Sequence, residues 1–190
     1  MNAFLAFSNP IYLHSMSIRT IMHKAFVYGT LKQQQPNHHW LEDPNNGISK
    51  YLSKGRTKTK YPLIIATKYN IPFLLYCPGT GNNVEGEIYE VDDQMLSRLD
   101  VLEDHPNYYV REKEDIVVKD PSTEKSETVN CWVYFLKNFK PELLKRQFLE
   151  EYSSTGSHGM KYLDRSKRDP LYNYKEATQL RKKTDCDTLQ

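Results

Sequence analysis

Glu103 is the carboxylate best placed for proton transfer. It sits at the last turn of a stretch whose apolar residues, Met95, Leu96, Leu99 and Leu102, are spaced by three, four and seven. That spacing predicts a helix with one buried face. A carboxylate at a helix C-terminus meets the negative end of the dipole, and Asp100 and Asp104 add like charge. Both effects raise a carboxylate pKa toward the range useful for acid–base work. The same residues also describe a solvated acidic helix end. A second candidate is Tyr28-Gly29-Thr30-Leu31, where an apolar run turns at a glycine. Backbone N–H groups exposed at such a turn can cradle an anion, although an ordinary strand end has the same composition.

Other chemistries find little support. The six histidines show no HxH or HxxxH spacing, so no metal site is expected. No GxSxG elbow is present to carry a serine nucleophile. Cys77, Cys131 and Cys186 are odd in number and far apart. They suggest buried small hydrophobes in a reducing compartment, with no disulfide framework and no zinc site.

Several elements must position these residues. Residues 25–31 read as a short buried strand and 38–41 as a helical piece. Residues 51–59 are basic and polar and read as a surface crossing. Residues 62–66 and 71–76 are apolar runs of strand length, followed by the turn residues Pro78 to Gly81. In residues 84–91, Val84, Gly86 and Ile88 alternate with Glu85, Glu87 and Tyr89, as in a half-exposed strand. Asp92 is placed to cap the following helix, and Pro106 stops it. Residues 108–118 and 129–136 read as two strands joined by a polar loop, and 142–152 as a helix. Many strands beside one clear helix indicate an α+β domain with a partly closed barrel.

The 190-residue length fits one domain, taken as residues 24–162 between an N-terminal extension (1–23) and a polar tail (163–190), both expected to lack order. With 26 basic and 24 acidic residues, the net charge of +2 implies no nucleic-acid partner. No apolar run approaches the ~20 residues of a membrane span. The first 23 residues contain no acid but too little arginine for a typical transit peptide, so the cytoplasm is the expected compartment.

Four segments shift this reading: FVYGTLKQQQPNHHWL, YPLIIATKYNIPFLLYCPGTG, VEGEIYEVDDQMLSRLDVLE and NYYVRE, in that order. Together they resemble the γ-glutamylamine cyclotransferase family, within the γ-glutamylcyclotransferase-like (AIG2-like) superfamily. The resemblance covers residues 24–136 and continues more weakly through YSSTGSHGMKY. It implies an α+β fold with a small mixed β-barrel and flanking helices. It implies that Tyr28, Gly29, Thr30 and Leu31 bind the glutamyl end of a substrate, that Glu103 is the catalytic acid–base, and that Tyr109 stands near the pocket.

The implied reaction converts Nε-(γ-glutamyl)-lysine to 5-oxoproline and lysine, without cofactor or metal. The implied partner is a small γ-glutamyl molecule and the implied state a monomer. Two alternatives stand beside it: the same cyclisation of γ-glutamyl-α-amino acids or glutathione, and a non-catalytic ligand-binding module. Gln33-Gln34-Gln35 departs from the more basic, Gly-containing stretch of relatives, which bears on the pocket rim.

Overall fold

A computed structural model describes residues 20–120, 122–123, 125–169 and 177–178. The expectation of disorder before residue 20 and over most of the tail lies outside these residues. Five strands form a closed barrel in the order β1-β5-β2-β6-β7. They are β1 (Met22–Val27), β2 (Ser49–Thr57), β5 (Glu85–Asp92), β6 (Val110–Lys119) and β7 (Ser126–Phe135). Neighbours pair antiparallel except β1 and β7, which close the barrel in parallel at Ala25 and Trp132. A small hairpin, β3 (Leu63–Ala66) and β4 (Ile71–Leu74), flanks it. Two α-helices, α1 (His39–Glu42) and α2 (Asp93–Leu102), and three short 3₁₀ turns complete the described elements. Among the described residues, no helix is long and apolar enough to cross a membrane.

The period of two along the strands creates two cores. Phe26 and Tyr28 join Ile88, Ile116, Val133 and Phe135 in one cluster. Their neighbours Ala25 and Val27 join Tyr89, Val91 and the apolar face of α2 in the other. This explains the unbroken apolar run at residues 25–28: β1 is buried on both faces. Helix α2 begins as its sequence indicates, with the Asp92 carboxylate accepting from the Met95 N–H at 2.8 Å. Met95, Leu96, Leu99 and Leu102 are all buried. Burial stabilises such side chains by roughly 1.5–3 kcal/mol each.

Several readings are corrected. β1 runs Met22–Val27 in place of the strand expected over residues 25–31, so residues 28–31 form the loop that follows it. The basic segment 51–59 is mostly barrel strand β2. Its inward positions hold Gly55 and Thr57, which are too small or polar to betray a buried face. A Cβ at Gly55 would lie 2.6 Å from Ile116 Cγ2, so the barrel closes tightly over that glycine. β5 is not half exposed: Glu87 and Tyr89 are 6% and 3% accessible, because residues after β1 and before β2 cover their face. The expected helix at 142–152 is a single 3₁₀ turn, Pro141–Lys145. Beyond it the Leu149 N–H donates to the Leu63 carbonyl at 2.8 Å, and Glu85 N–H to the Glu150 carbonyl at 2.8 Å. Those bonds hold the segment extended.

Cys77 is buried and disulfide-bonded, so a simple thiol is not what occupies that position. An odd cysteine count does not forbid one pair. Cys131 is a buried free thiol whose pKa is pushed up to about 11, chiefly by burial. Parts of the expected tail pack on the domain. Ala177 is fully buried, and the Leu163 N–H donates to the Tyr69 carbonyl at 3.1 Å.

Candidate active site

The loop after β1 is held by its own hydrogen bonds. Lys32 N–H donates to the Gly29 carbonyl at 3.2 Å and Asn37 N–H to the Thr30 carbonyl at 2.9 Å. From outside, His38 Nδ1 bonds the Leu31 carbonyl at 2.9 Å. The buried Glu87 carboxylate accepts from the Gln33 N–H at 2.9 Å and from the Tyr89 hydroxyl at 2.8 Å. Gly29 has little room for anything larger, since an added Cβ would stand 3.1 Å from Pro72 Cγ.

Glu103 caps the C-terminus of α2. Its N–H donates to the Leu99 carbonyl at 2.9 Å. Asp104 follows with φ 49°, in the left-handed region. Asp104 N–H reaches the Val101 carbonyl and His105 N–H the Asp100 carbonyl, at 3.3 and 2.9 Å. This pair of bonds is the Schellman ending, here with Asp where Gly is usual. Glu103 itself has φ −89° and ψ 1°, in the sparsely populated bridge region where many active-site residues sit. Its carbonyl accepts from the Tyr109 N–H at 3.3 Å, tying the helix end to the chain entering β6.

These elements meet at a cavity of about 200 Å³, and Tyr28, Gly29, Thr30, Leu31, Glu103 and Tyr109 all line it. The six sequence-derived candidates therefore share one wall system. The Tyr28 hydroxyl donates to the Tyr134 carbonyl at 2.9 Å, and the Tyr134 hydroxyl to Asp100 at 2.6 Å. The Tyr109 hydroxyl lies 3.4 Å from the Pro72 carbonyl. Burial, and next the Glu103 carboxylate, push the Tyr28 phenol well above its ordinary pKa. The Tyr134 phenol is raised by burial first, then by its bond to Asp100, with Glu103 a further cause. Both phenols remain neutral donors across the working pH range.

Five polar lining residues went unread in the sequence: Asn37, Tyr108, Tyr134, Tyr162 and Arg168. Asn37 links two walls, donating to Thr30 Oγ1 at 2.9 Å and to the Tyr162 hydroxyl at 3.1 Å. Tyr162 ends the weakly matching YSSTGSHGMKY segment, which was its available signal. Arg168 comes from the segment read as tail, where no periodicity or motif marks it.

A second, larger cavity of about 610 Å³ lies beside β2 and β5, lined among others by Lys32, Arg56, Lys58, Glu85 and Glu151. Size does not make it the site. Lys32 pairs with Glu151 at 2.8 Å, Arg56 with Glu85, and Lys58 with Asp115 at 3.3 Å. Five of its charged residues pair within the protein, while Lys54 and Lys119 line it without an ion pair among the described residues. Among the described residues, no three His, Cys, Asp or Glu side chains converge as metal ligands would.

Residues 25–154 match the family model described as "Gamma-glutamyl cyclotransferase, AIG2-like". The chain belongs to this family. Gamma-glutamylaminecyclotransferase C of Danio rerio is 44% identical over 77% of this chain and 96% of its own length. A Drosophila melanogaster protein named for gamma-glutamylcyclotransferase, CG2811, is 51% identical over 70% of this chain and 81% of its own. The crystal structure of an AIG2-like protein from Mus musculus superposes with a TM-score of 0.72 at 44% identity, covering 77% of this chain and 99% of that one. The AIG2-like match thus spans the barrel, the loop and the end of α2, and stops before Tyr162 and Arg168.

Proposed function

We propose that this chain is a γ-glutamylamine cyclotransferase that converts Nε-(γ-glutamyl)-lysine to 5-oxoproline and free lysine. The observation that carries the reading is the single cavity lined by both Glu103 and the turn at residues 28–31. Relatives named gamma-glutamylaminecyclotransferase support it, at 44% and 43% identity in Danio rerio and Mus musculus. In this account the enzyme is a monomer working in the cytoplasm on remnants of crosslinked protein, a setting that rests on the sequence reading alone.

The chemistry needs few residues, because the substrate carries its own nucleophile. Three carbons separate the α-nitrogen from the γ-carbonyl carbon, so attack closes a five-membered ring. Held in register, such an intramolecular reaction gains effective molarities of about 10⁵–10⁸ M. Glu103 takes a proton from the α-ammonium, and the freed amine attacks the γ-carbonyl. Glu103 then protonates the departing nitrogen as the old C–N bond breaks. Two protons in all pass from the α-nitrogen to the leaving amine, so the carboxyl group cycles twice and ends unchanged. Backbone N–H groups of residues 29–31 hold the α-carboxylate, and the neutral Tyr28 phenol shapes the buried wall beside it. Tyr109 packs against Phe73, ring centroids 6.1 Å apart, and bounds the cavity from the β6 side.

A second reading, the same cyclisation on γ-glutamyl-α-amino acids, is favoured by the name of the Drosophila melanogaster relative. A substrate panel separates them. Release of 5-oxoproline is expected to be fastest from Nε-(γ-glutamyl)-lysine, and an Nα-acetylated analogue should be inert. Faster turnover of γ-glutamyl dipeptides would sink the amine reading. Binding of every substrate with no product would instead leave a ligand-binding module.

A further inference from the structure

We infer that Arg168 recognises a carboxylate on the leaving amine, and so sets which γ-glutamyl amines this cavity prefers. The inference rests on the cyclotransferase reading and names a determinant within the same site.

Arg168 lines the cavity. Its guanidinium lies over the ring of Tyr162 at 4.9 Å and that of Tyr69 at 5.4 Å. Its Nε–H donates to the Leu163 carbonyl at 3.0 Å. The segment carrying it is pinned at both sides by Tyr69. Leu163 N–H donates to the Tyr69 carbonyl at 3.1 Å, and Asp169 N–H to the Tyr69 hydroxyl at 3.0 Å. Tyr162 is in turn held by Asn37, which also holds Thr30. The arginine is therefore positioned by the substrate loop itself, through Thr30, Asn37 and Tyr162.

One of its donors lacks an acceptor among the described residues. Arg168 Nη2 is buried with no hydrogen-bond partner among the described residues, and no ion pair there includes Arg168. A guanidinium in a fixed frame with an unused donor is a standing demand for an oxygen acceptor. Within a bound γ-glutamyl amine, the glutamyl α-carboxylate already has the backbone donors of residues 29–31. The acceptor left for Arg168 is a carboxylate on the departing amine. An amino acid linked through its side-chain nitrogen offers one, whereas a simple alkyl amine does not.

The decisive substrates are a matched pair, Nε-(γ-glutamyl)-lysine and γ-glutamyl-cadaverine, which differ only in that carboxylate. Wild-type full-length protein is expected to favour the lysine conjugate by roughly 10- to 100-fold in kcat/KM, the range of a hydrogen bond to a charged group. Arg168→Gln should abolish the preference, through a higher KM for the lysine conjugate and little change for the cadaverine one. Arg168→Lys should keep part of it, since a lysine carries the charge without the planar fork. A wild type with no preference would overturn the inference whatever the variants do. So would equal losses on both substrates, which would place Arg168 at the glutamyl end or in the fold. Wild-type silence on both, with 5-oxoproline as readout, would overturn the reaction and this inference together.

Discussion

The two cavities divide charge in opposite ways. In the larger groove beside β2, each described ion pair joins groups of the protein itself: Lys32 with Glu151, Arg56 with Glu85, Lys58 with Asp115. In the smaller cavity, lined by Glu103 and several tyrosines, the Arg168 guanidinium has a buried donor with no acceptor among the described residues. A surface whose charges match one another contributes solubility and a little stability. A buried donor without an acceptor, as at Arg168 Nη2, can act on a ligand. The volume ranking, about 610 against 200 Å³, points the other way and is the weaker guide.

Glu87 couples the two regions. It lines the groove, yet its carboxylate fixes the Gln33 N–H just beyond the substrate loop. Glu87→Leu would leave that N–H and the Tyr89 hydroxyl without their acceptor. We expect a loss of roughly 2–4 kcal/mol in urea unfolding and a raised KM. An unchanged KM would separate the cavities and break the coupling.

The Lys32–Glu151 pair tests whether the groove's charges serve stability alone. The Lys32 side chain is 6% accessible and that of Glu151 54%. Removing Glu151 strands a buried cation, whereas removing Lys32 leaves a hydrated carboxylate. Glu151→Gln should therefore destabilise by about 1–3 kcal/mol, and Lys32→Met by less. The hydrogen bond from Lys32 holds the Glu151 carboxyl below its ordinary value. A depressed folded-state pKa contributes stability above the unfolded value of 4.5, and that contribution is lost as pH falls through the folded one. Acid titration of unfolding should show this loss in wild type and not in Glu151→Gln. Smallest of all, Arg56→Ala removes a largely exposed pair, 53% and 34% accessible. It should cost at most about 1 kcal/mol and leave turnover unchanged.

Helix α2, its Asp92 cap and the hairpin strands were legible because spacing and capping agreed with packing. β2 was not, because KGRT presents a glycine and a threonine to the barrel and basic residues to solvent. Residues 142–152 carry helical spacing, but bridges to Leu63 and Glu85 override it. Glu87 looked outward by alternation, and only the fold shows the loop that covers it. At the site, the loop and Glu103 were readable as a motif set. Asn37 and Arg168 were not, since their roles depend on segments that meet only in three dimensions.

The central claim is that Glu103 moves protons between the two nitrogens. The direct test is 5-oxoproline release from Nε-(γ-glutamyl)-lysine by wild type and Glu103→Gln, with melting curves to match the folded fractions. Gln keeps the shape and cannot shuttle a proton, so the account predicts a fall in kcat of roughly 10²–10⁴-fold with the fold intact. Equal turnover by a folded Glu103→Gln variant would contradict it.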